Sequence, residues 1–442
     1  MKGPLLSVTL AVTRPVMHYV IVGNGVAGTR AAFAIRQRLS AEDARITLIG
    51  DESDYFFSRT ALMYAYMNRL DRRDLEPHER RVYDERHIQR RRGHVVDLNA
   101  DDHCLKLADG TTVDYDRLLL AVGARARMID FGGLDNVDDG LVHFIGLDDL
   151  DDCERLTWST QRAVVVGGGL IGVELAECLH HHGVEVTFLV REPYYWPAAF
   201  ARPEGQMITE HIRSKGIDLR HQTQLLSIDV DDDRRVRAVA TDDGETIPCQ
   251  MLGIAIGVVP RVNWLRDVTT PPKTGFGLRV DRRFQTSLPD VFGAGDCVEI
   301  EMGDDTLRHV PIWYEARDHG DLAGRAMAGD DVHFEAPTFY NSSKFFDIEY
   351  TTVGDVQDLP EGTRSLYRRM PGEAISQRIV FDDQQVLGFS MLGSRWDHTV
   401  LSRWVDEQRS LEFVRDHLHE AQYDVEFGGL DLDAMNEEMR TL

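Results

Sequence analysis

Two stretches of this chain place three glycines where a backbone could wrap a pyrophosphate. In "YVIVGNGVAG", residues 19–28, they are Gly23, Gly25 and Gly28; in "VVVGGGLIGVELAE", residues 164–177, they are Gly167, Gly169 and Gly172. The first glycine of each set permits a tight turn. The second lets a phosphate approach the backbone, and the third lets the following helix pack on the preceding strand. The first helical residues, Val26 and Ala27 in one loop and Leu170 and Ile171 in the other, then offer an anion their N–H groups and the positive end of a helix.

That chemistry needs elements to position it, and the flanking residues supply them. "HYVIV" and "RAVVV" are continuous apolar runs, as in parallel strands buried on both faces. "AGTRAAFAIRQRL" and "GVELAECLHHHG" read as the helices, and "RITLIG" and "VEVTFLV" as the strands after them. The first of these strands ends at Asp51 and Glu52, either of which can meet an adenosine ribose, because Gly50 occupies the strand-end position. The second ends at Val190, Arg191 and Glu192. An arginine there suits the 2′-phosphate of NADPH and an acid suits the free hydroxyl of NADH. Arg191 tips the reading to NADPH, and Glu192 argues the other way.

At 442 residues the chain exceeds one ordinary core, so two or three domains are expected. A net charge of −25 argues against nucleic-acid binding. No apolar run approaches the roughly 20 residues of a membrane span. Residues 1–16 read as a short extension ahead of the first strand, in preference to a signal peptide. The five cysteines are scattered, none in CxxC spacing, which suits a reducing compartment and a cytoplasmic protein. His180, His181 and His182 point in different directions from a helix C-terminus, where they complement the dipole; no metal site is read from them.

Three further stretches carry a family resemblance. "YDRLLLAVGARAR" (115–127, with Ala121 and Gly123) is similar to a crossover out of a flavin domain, and "IAIGVVPRVNWL" (with Gly257) to the crossover back. "TSLPDVFGAGDCVE" (286–299, with Gly295 and Asp296) is similar to a second flavin signature. With the glycine loops, these resemble the pyridine nucleotide–disulfide oxidoreductase family over about residues 17 to 330. The resemblance implies an α/β fold of two Rossmann-like dinucleotide-binding domains, the second inserted in the first, with a small C-terminal α+β domain. FAD would occupy residues 17–125 and 254–334, NAD(P)H residues 126–253, and residues 335–442 would cover the flavin or form a dimer contact. It also implies that Asp296 binds the ribityl chain, that the Val95 backbone meets the adenine, and that Glu174 lies beside the flavin ring and orients the nicotinamide. The helix from Trp313 would direct its N-terminus at the flavin pyrimidine edge; core packing is the other reading of Trp313.

The family's disulfide reductases carry a CxxxxC after the second strand. The matching stretch here, "DYFFSRTALMYAYM" (54–67), has no cysteine, so no thiol relay is available there. It resembles instead the YxRPxLSK segment of ferredoxin, rubredoxin and nitrite reductase-type flavoproteins. Arg59 matches the arginine, near flavin phosphates or ring, and Tyr64 stands where that group has a lysine paired with the glutamate. Glu174 then loses its cation, and an unpaired buried carboxylate drifts towards protonation.

The expected activity is FAD-dependent NAD(P)H oxidation, with hydride passing to flavin N5 and electrons onward to an external acceptor. Two alternatives stay open: the reductase component of a ferredoxin-, rubredoxin- or nitrite reductase-type system, and an NAD(P)H-gated flavoprotein that binds a partner with little turnover. Residues 68–94 hold nine arginines against six acids in an acidic chain. They read as a solvated helix pair with internal salt bridges or as the docking site of a small acidic redox protein. The end, "FGGLDLDAMNEEMRTL", reads as a solvated acidic segment.

Overall fold

The first apolar run becomes the strand Met17–Val22, centre of a five-stranded sheet ordered Val291–Gly293, Arg117–Leu120, Met17–Val22, Ala44–Gly50, Ile88–Arg92. All neighbouring strands are parallel, and the central strands Met17–Val22 and Ala44–Gly50 are apolar on both faces, whereas the edge strand Ile88–Arg92 is largely polar. The computed structural model describes residues 16–423; the readings of residues 1–15 and of the acidic end lie outside them. Helix Val26–Arg38 follows the first strand, and helix Trp313–Met327 packs against it. They meet at small residues: a Cβ on Gly320 would collide with the Ala27 backbone, and one on Gly324 with Ala31.

The second run builds a like sheet, ordered Asp218–His221, Glu185–Val190, Arg162–Val166, Met251–Ile254, Leu141–Val142, again all parallel. A five-stranded antiparallel sheet follows, ordered Tyr340–Phe345, Ile348–Gly354, Val386–Leu392, Ser376–Phe381, Arg364–Arg369. Alternation along its strands sends Val353, Ile379, Phe389 and Met391 to one face, where Leu401, Trp404 and Val414 of two helices cover them. Those helices, His398–Asp406 and Leu411–His417, start at Asp397 and Ser410, whose side chains accept from Thr399 N and Phe413 N.

The chain divides into two compact units: residues up to 58, 76–124 and 259–334, and residues 59–75, 125–258 and from 335 onward. Two assignments differ from the expected division. Residues 59–75 belong to the second unit because helix Leu62–Tyr66 lies on helix Leu170–His181. There the Cys178 thiol donates to Met63 O (3.7 Å), the His182 ring contacts Tyr66 O (2.7 Å) and Tyr66 Oη bonds Thr157 Oγ1. The antiparallel sheet is not independent either. Its buried Arg378 pairs with buried Glu204 at 3.1 Å, and the tip of its first hairpin bonds Glu177 and His211 through the Phe346 N–H and carbonyl (both 2.7 Å).

The arginine-rich stretch is not a helix pair. It runs from a turn at Arg72–Leu75 through the one-turn helix Arg81–Glu85 into the edge strand Ile88–Arg92. Arg80 pairs with Glu76 and Arg90 with Asp84; Arg80 and Arg90 also lie over the Tyr55 ring, and Arg72 pairs with Glu154.

Candidate functional site

Both glycine loops have the same construction, and each glycine is required for a different reason. Gly23 and Gly167 have φ of +104° and +117°, and a Cβ on either would strike the crossover, at Ala121 O and Ala255 O. A Cβ on Gly28 would strike Gly23 O, and one on Gly172 would strike Gly167 O. Gly25 and Gly169 are different: apart from its chain neighbours, a Cβ added to either meets no atom of the described residues within 4 Å, and both have ordinary extended backbone. The protein itself therefore leaves the centre of each loop clear, at the N-terminus of a helix of 13 and 12 residues respectively. Val26, Leu170 and Ile171 are half-buried there and Ala27 is buried. This is the cradle a pyrophosphate requires.

Around the first loop, Asn24 packs over Gly50, which fills the strand end, and donates to Ser53 O at 2.7 Å. Asp51 contacts His94 Nδ1 at 2.8 Å, and Glu52 is half-buried beside it. Val95 is buried at the start of the strand Val95–Asn99. Gly295, with φ of +82°, packs on Ala27 and so sets half-buried Asp296 beside the first glycine helix. Trp313 is the first residue of its helix, and its indole Nε1 is buried with no acceptor among the described residues. An open glycine cradle and an orphaned buried donor in one unit fit a bound dinucleotide bearing a polar ring system. Ala121 is buried at the first crossover, Gly123 O accepts from Arg261 N, and Gly257 O accepts from Arg127 N.

In the second unit, Arg191 is 75% exposed and its Nε bonds Glu192 Oε1 at 2.7 Å. Its terminal nitrogens are not used in that pair. Arg59 lies in this unit, on the turn Arg59–Ala61, with Nη1 donating to Ile145 O at 2.7 Å. Glu174 is half-buried, and its carboxyl is pushed up to about 8, first by desolvation and then by Glu177. The Tyr64 phenol is raised by burial and by the same two carboxylates. Sequence reasoning missed Glu177, although a second glutamate three residues after the first was a readable sign of a shared helix face.

The five thiols are all free, and burial raises each of them, so none offers a ready thiolate. No helix of the described residues is long and apolar enough to cross a membrane.

Two parallel sheets, each opening on a clear glycine cradle, with all five cysteines free, define a protein built to hold two dinucleotides. Residues 17–320 match the family model for pyridine nucleotide-disulphide oxidoreductases, and the chain belongs to that family. It is an FAD-dependent NAD(P)H oxidoreductase. Over 402 residues it is 29% identical to the ferredoxin–NAD(+) reductase component of the p-cumate 2,3-dioxygenase system of Pseudomonas putida, covering 89% of this chain and 94% of that protein. It is 30% identical to rhodocoxin reductase of Rhodococcus erythropolis over 338 residues, 74% of this chain and 76% of that one. The fold matches putidaredoxin reductase in its covalent complex with putidaredoxin with a TM-score of 0.76, at 23% identity, over 96% of this chain and 99% of that one.

Proposed function

We propose that this enzyme is the NADPH-oxidising reductase of an electron-transfer system whose acceptor is a small ferredoxin-type protein. The first glycine loop would hold FAD and the second NADPH; a bound flavin would supply acceptance of a hydride and release of single electrons. The observation that carries the cofactor assignment is the pair of glycine cradles that the protein leaves open, with the Trp313 donor in the first unit. The acceptor follows from the two relatives at 29% and 30% identity, both reductases and one a ferredoxin reductase by name. Within the first unit, Asp296 would hold the ribityl chain, Asp51 or Glu52 the adenosine ribose and the Val95 backbone the adenine, and the N-terminus of the Trp313 helix would stabilise negative charge on the reduced ring. Arg59 and Glu174 serve from the second unit, Glu174 by orienting the nicotinamide. The test is steady-state NADPH oxidation by the flavin-loaded protein with a ferredoxin as acceptor. Bleaching of the flavin by NADPH without turnover of any ferredoxin, free dye or quinone would refute the enzyme.

The choice of NADPH rests on Arg191. Its free terminal nitrogens can take the 2′-phosphate, which Glu192 partly opposes. R191A is expected to weaken NADPH about 10- to 100-fold and to leave NADH within about threefold, the loss of a charge-assisted phosphate contact. E192Q should strengthen NADPH severalfold. Titration of both nucleotides against both variants checks this, and equal losses for NADH and NADPH in R191A would remove the assignment.

The acceptor would dock on the arginine-rich edge. Arg91 and Arg92 lie on the edge strand; Arg91 bonds Thr111 and Arg92 is exposed. Replacing both by serine is expected to raise the KM for an acidic ferredoxin several-fold at low salt, with kcat unchanged, and the effect should fade as salt screens the charges. Unaltered acceptor kinetics at low salt would leave this strand a solvated edge only.

A further inference from the structure

The loop that carries Arg191 and Glu192 runs from strand Glu185–Val190 to helix Arg202–Ser214, and it brings four aromatic rings with it: Tyr194, Tyr195, Trp196 and Phe200. Three of them pack on the first hairpin of the antiparallel sheet. Trp196, Phe200 and Tyr350 of that hairpin form a closed triangle of edge-to-face rings, with centroids 5.6, 5.3 and 6.1 Å apart and planes at 82–89°. Tyr195 extends the cluster from Trp196 (6.2 Å) to Phe345 (5.9 Å), the last residue of the hairpin's first strand, and to Phe188 (6.5 Å) on the strand before the loop. Tyr195, Phe200, Phe345 and Tyr350 are buried and Trp196 is half-buried. The loop backbone does not favour this shape by itself. Trp196 has φ of +48°, in the left-handed region that a bulky residue rarely adopts, and Pro197 after it favours extended backbone there. The Trp196 carbonyl accepts the N–H groups of Ala199 and Phe200, both at 3.0 Å, which closes the turn that carries the rings. The hairpin is in turn tied to the elements on either side of the loop. The Phe346 N–H donates to Glu177 of helix Leu170–His181, and the Phe346 carbonyl accepts from His211 of helix Arg202–Ser214, both at 2.7 Å. Asp347 pairs with Lys215 at the end of that helix at 3.0 Å. One hairpin therefore touches the second glycine helix, the loop and the helix after the loop.

We propose that Tyr350 is a positioning residue for coenzyme choice: through Trp196 and Phe200 it holds the loop in the shape that presents Arg191 to the 2′-phosphate of NADPH. This rests on the reading that Arg191 takes that phosphate. Arg191 stands five residues before Trp196, and its side chain is exposed, so its place is set by the backbone that bears it. That backbone has an anchor at each end. Near the strand, Glu192 O accepts the Gln222 N–H at 3.2 Å; from Tyr195 onward, the rings hold it to the hairpin. Removing the Tyr350 ring loosens the second anchor. NADH carries no 2′-phosphate and gains nothing from where Arg191 stands, so a displaced loop costs NADPH selectively. Ring packing that served the fold alone would lower stability without separating the two nucleotides.

The test measures KM and kcat for NADPH and for NADH on the flavin-loaded protein, with ferricyanide as acceptor. The variants are Y350L, Y350F, W196L, R191A and the double variant Y350L/R191A. Y350L is expected to raise the KM for NADPH about three- to tenfold, with kcat and the KM for NADH within about twofold of the parent. Y350F keeps the ring and gives up the phenol that accepts from Asn341 Nδ2 at 3.0 Å, so it should match the parent. In the R191A background Y350L should add almost nothing to the NADPH loss, because the contact it positions is already gone. W196L removes the same contact from the half-buried side of the cluster; it should reproduce Y350L, and it carries the test if circular dichroism shows Y350L unfolded. Three results overturn the proposal and leave the role of Arg191 standing: equal losses for NADPH and NADH, a Y350L loss undiminished in the R191A background, or parental KM values in both Y350L and W196L. Losses in R191A that are absent, or equal for the two nucleotides, overturn the reading of Arg191 itself, a separate result that removes the proposal with it.

Discussion

A G25V variant is expected to fold as the parent does and to emerge without flavin. Gly25 has φ of −70° and ψ of −170°, a conformation open to any residue, and apart from its chain neighbours a Cβ there meets no atom of the described residues within 4 Å. Valine therefore costs the fold little. What it occupies is the space through which a pyrophosphate would reach the helix N-terminus, so the loss falls on the ligand. An excluded contact of this kind should weaken FAD by at least ~100-fold, about 3 kcal/mol. G169V should do the same for NADPH while the protein stays yellow. The contrast is G28V or G172V, where the new side chain would meet the carbonyl of the loop's own first glycine and must break the turn. Absorbance at flavin wavelengths, circular dichroism and nucleotide titration distinguish these outcomes. A fully flavin-loaded G25V protein would refute the first loop as the flavin site.

The second large effect lies away from both cradles. Glu204 and Arg378 are 0% and 4% exposed and pair at 3.1 Å between helix Arg202–Ser214 and the antiparallel sheet. Glu204 also accepts the Ala201 N–H at 2.7 Å, capping its helix, and Arg378 Nη1 donates to Val356 O at 2.9 Å. Removing one partner leaves the other charged and desolvated. Either E204A or R378A should therefore cost about 3–5 kcal/mol, seen as a fall of roughly 10 °C in the unfolding midpoint. Replacing both by methionine should recover most of that loss, because no unpaired charge remains. A single-variant loss below about 1 kcal/mol would mean that water reaches the pair. Since the same helix follows the loop that carries Arg191, R378A should also raise the Kd for NADPH.

Much of the catalytic framework was legible from local pattern alone. A strand, three spaced glycines and a helix is a short-range code, because each glycine answers a backbone constraint set within a few residues of it. The lack of cysteine in residues 54–67 is equally local, and by itself it excludes a thiol relay there. What the sequence could not decide was where segments distant in the chain come to rest. The arginine-rich stretch reads in sequence as a solvated helix pair with internal salt bridges, yet Ile88–Arg92 is drawn into the parallel sheet by pairing with Ala44–Gly50. Residues 59–75 and the antiparallel sheet joined the second unit through contacts made across 90 to 174 positions, such as Tyr66 with Thr157 and Glu204 with Arg378. The charge of Glu174 is of this second kind. Its type and place on the helix were plain, but the burial that pushes its carboxyl up, with Glu177 one turn on adding to it, comes from the fold. Backbone geometry is encoded by near neighbours, while burial and electrostatics sum over everything the fold brings close.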